Sequence, residues 1–333
     1  MTPGDATLTG IQFAVTSAAL DGDTSAVYHL AAEALGEGMP FENLLFDVIA
    51  PVQRSLGERW VSGDYLVSEE HVATNTIDAV VSLLGGTFEQ PDGAPRVVIS
   101  CVEGEEHSLP GRMLAAHLLS EGFRTVHVGA SMPATDLQQF LTEEPPDALV
   151  LTCMMTGRLP GARRSIEAGH GAGVPVIVGG PAFGPNGERA TRLGADGWVP
   201  RLRDVAELLR TWSPDLGAAA ANTIEPGADL APLAAARPVV IANAASMLGG
   251  GPQGAAAHQE SVELAFDALA AALTMDENQL LFDYAEWMAT FADAKDDSGP
   301  SASRVLAALR AAIDESHADA RGRLDAAIAH LAA

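Results

Sequence analysis

Residues 103–111 read Glu-Gly-Glu-Glu-His-Ser-Leu-Pro-Gly. Glu105 stands two residues before His107. That spacing suits a metal-ligating imidazole, because a carboxylate can orient the ring through one nitrogen and leave the other for a metal ion. The stretch follows a β-branched run at 96–101 and precedes an apolar helical run at 113–119. It is therefore a strand-to-helix loop at the carboxyl end of a strand, the edge where open α/β sheets bind ligands. Later apolar runs end in Thr152-Cys153-Met154 and in Gly179-Gly180. A hydroxyl and a glycine pair at that edge offer a hydrogen bond and a close backbone approach to a ligand. The loop Gly129-Ala130-Ser131-Met132-Pro133 lies on the same edge.

These loops need a sheet to hold them. Strand candidates at 96–101, 124–129, 147–153, 174–179 and 197–199 alternate with helical runs up to about residue 212. The alternation predicts a flavodoxin-like (Rossmann-type) domain with a five-stranded parallel sheet over 91–212. Before it, apolar positions recur at helical spacing in 11–20, 27–35, 44–56 and 72–84, which predicts a four-helix bundle within 1–90. Thr24 and Ser68 are its candidate N-caps, and a polar stretch at 87–95 follows. Residues 213–236 are rich in Ala, Pro and Gly and read as a linker. Apolar stripes at 239–248, 258–273, 278–291 and 302–313, with a last stretch at 316–333, predict a C-terminal helical domain over 237–333. The fold class is α/β plus α.

At 333 residues and 47% hydrophobic content, the chain can bury two or three cores. Its formal net charge of −25 repels phosphate backbones and argues against a nucleic-acid partner. A basic n-region and an apolar run of about 18 residues are both lacking, so neither a signal peptide nor a membrane span is expected, and the expected location is cytoplasmic. Cys101 and Cys153 fall on predicted core strands and read as buried hydrophobes. A phospho-receiver domain of this fold would need acids after the third strand and a lysine after the fifth. Those places hold Thr152-Cys153 and Pro200. The first loop also lacks the Gly-x-Gly-x-x-Gly of dinucleotide-binding folds. No catalytic residues are expected, and the chain reads as a non-enzyme.

Taken in order, the three loops resemble the signatures of cobalamin-binding domains: Asp/Glu-x-His-x-x-Gly, Ser-x-Leu and Gly-Gly. Thr152 stands for Ser, Met154 for Leu, and Pro110 where that family has Gly, with Gly111 next to it. The resemblance implies that His107 is the lower axial ligand of cobalt and Glu105 its carboxylate partner. It also implies cofactor contacts from Ser108, Leu109, Gly129, Ser131, Thr152, Met154, Gly179, Gly180, Pro181 and Phe183. Pro110 implies a different loop path beside the nucleotide tail.

Trp60 is followed by nine residues and then Glu70-His71, which resembles the cap of light-sensing adenosylcobalamin repressors. In that family the Trp packs on the adenosyl group, and the Glu and His contact it. A flat aromatic there would shield the cobalt–carbon bond from water, and the polar pair would hold the sugar and adenine. Those repressors carry a His directly after the Trp, to take the cobalt once light removes the adenosyl group. Here that position is Val61, which leaves His71 or water.

The domain order is similar to the photocobilins, which join a cobalamin photoreceptor to a bilin-binding domain. That likeness implies a second chromophore, biliverdin, held non-covalently because neither cysteine lies in the C-terminal part. His258, Tyr284, Trp287 and Arg304 are its candidate contacts. The resulting expectation is a homo-oligomeric light sensor whose assembly changes when the upper ligand leaves. The alternatives are a corrinoid methyl carrier serving a separate methyltransferase, and a cobalamin-responsive protein-interaction module.

Overall fold

The computed structural model describes residues 3–212, 223–249, 252–294 and 299–332. The first helices are α1 (Pro3–Leu20), α2 (Thr24–Gly36), the short α3 (Phe41–Asn43), α4 (Ala50–Val61) and α5 (Val67–Gly85). Val15, Val27, Leu44, Leu45, Leu56, Ile77 and Val80 close one core between them. A π-helical turn, Leu44–Ile49, carries α3 into α4. Pro51 lacks the N–H that would meet the Asp47 carbonyl one turn back, and the Gln12 side chain donates to that carbonyl at 2.7 Å instead. Four long helical segments result, as a bundle requires.

The caps differ from the sequence expectation. Asp23, not Thr24, caps α2, because its carboxylate reaches the Ala26 N–H at 2.9 Å. Ser68 lies inside the first turn of α5, and the Glu69 carboxylate takes the Leu66 N–H at 2.7 Å.

The sheet has strands β1 (Arg96–Cys101), β2 (Arg124–Gly129), β3 (Ala148–Thr152), β4 (Val176–Gly179) and β5 (Gly197–Val199), all parallel, in the order β2-β1-β3-β4-β5. This is the flavodoxin-like order. β4 starts two residues later than expected, since Pro175 has no N–H for the ladder. β3 starts after Asp147, whose carboxylate accepts the Arg96 N–H at 2.7 Å. Connections run through α6 (Leu109–Ser120), α7 (Ala134–Glu143), α8 (Leu159–Gly171), α9 (Glu188–Arg192) and α10 (Val205–Thr211).

α6 joins sheet to bundle. Its Leu109, Met113 and Ala116 enter the bundle core, and Arg112 pairs with Asp78 of α5 at 2.6 Å. Pro110 sits in the first turn of α6, where a missing N–H is harmless. Gly111 lets α6 approach the sheet, since a β-carbon there would lie 3.0 Å from His127 Nε2.

The C-terminal helices are α11 (Leu230–Gly249), α12 (Pro252–Met275), α13 (Gln279–Ala294), α14 (Ala302–Ala312) and α15 (Ala318–His330). Val240, Ile241, Phe266, Leu269, Leu281, Leu306 and Leu324 form their core. α11 begins inside the stretch expected to be a linker and runs through Pro238. The alanine-rich sequence sustains it, alanine having the highest helix propensity. Residues 213–222 of that stretch lie outside the described residues. α11 is also long and apolar enough to cross a membrane by length and composition, against the expectation of no such segment. Its Val240, Ile241, Ala244 and Ala245 are core residues in this fold.

α12 serves two cores. Val262, Phe266 and Leu269 belong to the C-terminal one, while Ala271 and Met275 join the sheet-side cluster together with Leu280. Ion pairs Arg158–Asp267 at 2.7 Å and Arg189–Glu277 at 2.6 Å secure the same junction.

Candidate functional site

The loop after β1 is built around Glu105, whose side chain is 1% exposed. Its Oε1 accepts the His107 N–H at 3.0 Å and faces His107 Nδ1 at 2.5 Å. Its Oε2 accepts the N–H groups of Met154 and Met155, at 2.8 and 3.0 Å. Its carbonyl accepts the Ser131 N–H at 2.9 Å. One residue thus ties together the loops after β1, β2 and β3. Burial opposes ionisation of this carboxyl. The His107 hydrogen bond and charge, with the backbone N–H groups, outweigh burial and hold its pKa below the ordinary glutamate value. The Glu105 hydrogen bond, against the cost of burial, raises the pKa of His107.

The His107 side chain is 57% exposed. With Nδ1 committed to Glu105, Nε2 is the nitrogen left for a ligand. The cysteines behave as buried hydrophobes. Burial pushes the Cys101 thiol up to about 11 and raises that of Cys153.

Gly180 has φ +115°, and a β-carbon there would sit 2.2 Å from the Cys153 carbonyl oxygen. The sequence motive for this glycine was room for a ligand, but its first constraint is the backbone of the neighbouring loop. Thr152 is buried, and its hydroxyl faces Cys101 Sγ at 3.6 Å. Leu109 and Phe183 are core side chains, at 4% and 0% exposure, and Gly179 is buried in β4. These four shape the loops from within. Ser108, Gly129, Ser131, Met154, Gly180 and Pro181 retain exposure at the sheet edge.

Facing this edge is the α5 end of the bundle. The contact pairs Gly85–Ala116 and Asp78–Arg112 step toward the N-termini of both α5 and α6, so Glu70 and His71 lie at the same end as His107. The charge of Glu70 is among those that raise the His107 pKa. Glu70 Oε1 accepts from Thr74 Oγ1 at 2.6 Å and from Gln53 Nε2 at 3.2 Å, and its Oε2 is 3.0 Å from His71 Nδ1. Gln53 Oε1 is buried with no partner among the described residues. Leu66, Val67 and, beside the Glu105 loop, Met155 are exposed. A half-free imidazole, an orphaned buried amide oxygen and uncovered apolar side chains fit a flat cofactor with an apolar ring and polar substituents.

Trp60 stands at the end of α4, ten residues before Glu70. Its ring packs on Phe291 of α13, with centroids 5.4 Å apart. Of the candidate bilin contacts, Tyr284 and Trp287 come together at 6.1 Å. The Tyr284 hydroxyl donates to the Ser261 carbonyl at 3.2 Å. Arg304 is exposed on α14 and His258 is half-buried on α12.

Sequence reasoning missed Arg158, whose Cδ would lie 3.6 Å from a β-carbon at Gly104. It also missed the Met155 N–H on Glu105. Neither carries a local signal, because each is defined by a contact between separate loops.

Comparison with known proteins decides the ligand. Residues 95–209 match a B12 binding domain, and residues 11–84 match a second domain of that description. Both regions are B12-binding domains. Together they hold the sheet edge around Glu105 and His107 and the bundle end that faces it. The chain is similar to the HTH-type transcriptional repressor CarH of Myxococcus xanthus, 32% identical over 141 residues, which are 41% of this chain and 46% of that one. It thus spans about half the length of that relative. It is also similar to trimethylamine corrinoid protein 1 of Methanosarcina mazei, 23% identical over 198 residues, 57% of this chain and 91% of that one. The monomethylamine corrinoid protein of Methanosarcina barkeri shares the fold, with a TM-score of 0.51 at 16% identity, covering 60% of this chain and 96% of that one. The B12-binding matches end at residue 209, so α11 to α15 lie beyond them.

Proposed function

We propose that this cobalamin-binding chain holds adenosylcobalamin between bundle and sheet and acts as a light sensor. The observation that carries the reading is the Glu105–His107 pair, which leaves one imidazole nitrogen without a partner among the described residues, at an edge faced by Gln53, Glu70 and His71. When bound, the cofactor supplies a cobalt–carbon bond that light breaks. His107 would offer Nε2 to the metal while Glu105 keeps the proton on Nδ1, as carboxylate partners of metal-bound histidines do. Gln53, Glu70 and His71 would hydrogen-bond the upper ligand, and Trp60, Leu66 and Val67 would keep water from it. With valine at position 61, His71 or water would be the group left to take the place of the upper ligand.

Removal of the upper ligand would take away contacts that favour one placement of the bundle, and so shift subunit contacts in a homo-oligomer. The test is an absorption spectrum from 300 to 750 nm before and after green light, on protein made with adenosylcobalamin and biliverdin supplied. A light-dependent cobalamin spectrum is expected, and a light-stable one refutes the sensor. A far-red band would add the bilin to the C-terminal helices around Tyr284 and Trp287. His107→Ala protein with unchanged binding and spectra would refute the axial role.

A second reading, a methyl carrier for a separate methyltransferase, is supported by the likeness to the trimethylamine corrinoid protein across 91% of its length. A light-stable corrinoid that is methylated by a partner enzyme would establish it.

A further inference from the structure

The C-terminal helices touch both walls of the cobalamin cleft. On the sheet side, Asp267 of α12 is held between Arg158 at 2.7 Å and Arg237 at 3.1 Å. Arg158 lies beside Gly104 in the loop that carries His107. On the bundle side, the Phe291 ring lies against Trp60 at 5.4 Å, tilted by 54°. Behind Phe291, Trp287 stacks at 5.3 Å and 24°, and Tyr284 stands 6.1 Å behind Trp287. Tyr284 is tied to the Ser261 carbonyl of α12 at 3.2 Å, and Tyr284 and Trp287 pack on the C-terminal core. A ladder of four rings thus runs from that core to the indole of Trp60.

We propose that Phe291 is a specificity-determining residue for the upper ligand of the bound corrinoid. It backs Trp60, so that the indole offers a fixed face to a nucleoside-sized upper group; a hydroxyl or water at the same position does not use that face. The inference rests on the assignment of Trp60 to the upper face made above. Its physical basis is preorganisation. An indole already braced by a neighbouring ring surrenders less rotamer freedom when a ligand settles on it, and one such side chain is worth on the order of 3- to 10-fold in affinity. The brace belongs to α13, so the appended helices, which the B12-binding matches do not include, would take part in choosing the cofactor form.

The experiment titrates the full chain in the dark with adenosylcobalamin and, separately, with hydroxocobalamin, following absorption to obtain both Kd values. The same is done for Phe291→Ala and Phe291→Leu. Phe291→Ala is expected to weaken adenosylcobalamin about 3- to 10-fold more than hydroxocobalamin, and Phe291→Leu to shift the ratio the same way by less. An unchanged ratio overturns the inference, whether both forms weaken equally or neither weakens. If the alanine variant does not fold, the leucine variant decides on the same criterion. A parent chain that binds hydroxocobalamin but not adenosylcobalamin fails at the earlier step and overturns the upper-face assignment itself. A parent that binds both, with the ratio unmoved in the variants, overturns only the role of Phe291.

Discussion

The two walls of the proposed cleft are built on opposite terms. On the sheet side, the Glu105 carboxylate is sealed from solvent and accepts three backbone N–H groups besides the His107 ring. Gly180 locks the loops after β3 and β4 at a distance no other residue allows. On the bundle side, the polar groups meet through side chains alone. The His71 side chain is 68% exposed, and Gln53 still has a polar atom unmatched among the described residues. Backbone hydrogen bonds and glycine geometry fix a wall before any ligand arrives, whereas side-chain pairs near solvent can rearrange at small cost. The lower wall is therefore prebuilt, and the upper wall is the one free to answer a change of ligand.

Several substitutions would break or sharpen this contrast. The largest effect is expected at Gly180→Ala, which combines an unfavourable φ with a backbone clash. The apo chain should lose about 3 kcal/mol or more, read as a fall in the urea midpoint. A loss below about 1 kcal/mol would show that the loop pair is not fixed in this way. Next comes Glu105→Ala, which leaves the N–H groups of His107, Met154 and Met155 without their acceptor. A loss of about 2–4 kcal/mol is expected in the same assay, with Glu105→Gln recovering part of it.

A pH effect should follow on the same wall. Burial, and to a lesser degree the Arg112 charge, lower the His127 pKa from 6.5 to about 4, against the pull of Asp78. The folded chain therefore keeps this ring neutral while the unfolded chain protonates it. The stability that His127 contributes is complete above about 6.5 and is lost as pH falls toward about 4. His127→Gln should lose less stability than the parent between pH 7 and pH 5, measured by urea midpoints at each pH. A parent and variant with parallel losses would exclude the histidine as the source. The smallest effect belongs to the upper wall. His71→Ala should move apo stability by no more than about 0.5 kcal/mol by the same assay, while changing the affinity for adenosylcobalamin. A large loss of apo stability would show that the upper wall is as rigid as the lower.

Much of the lower wall was legible in the sequence, because its logic is local. The Glu105-x-His107 spacing lies in one loop, and the alternating strand and helix patterns placed that loop at the sheet edge. The proposed upper wall was legible only as a resemblance, and the geometry around Trp60 brought a surprise: its ring meets Phe291, more than two hundred residues away in the chain. Arg158 meets Asp267 in the same way. No periodicity or motif encodes a contact between surfaces of separate elements. The helix start at Leu230 was missed because Pro232, Pro238 and flanking alanines imitate a linker. The N-caps slipped because several polar residues at each helix start compete for the same N–H groups.

The double allegiance of α12 bears on modularity. Ala271, Met275 and Leu280 fill the same cluster as strand residues Leu149 and Val176. A fragment cut near residue 210 would bare that apolar patch to water and invite aggregation. The appended helices are thus no detachable cassette. A fusion or domain exchange that respects this fold must carry α11 to α15 together with the sheet they dock on, or recoat the junction with polar side chains.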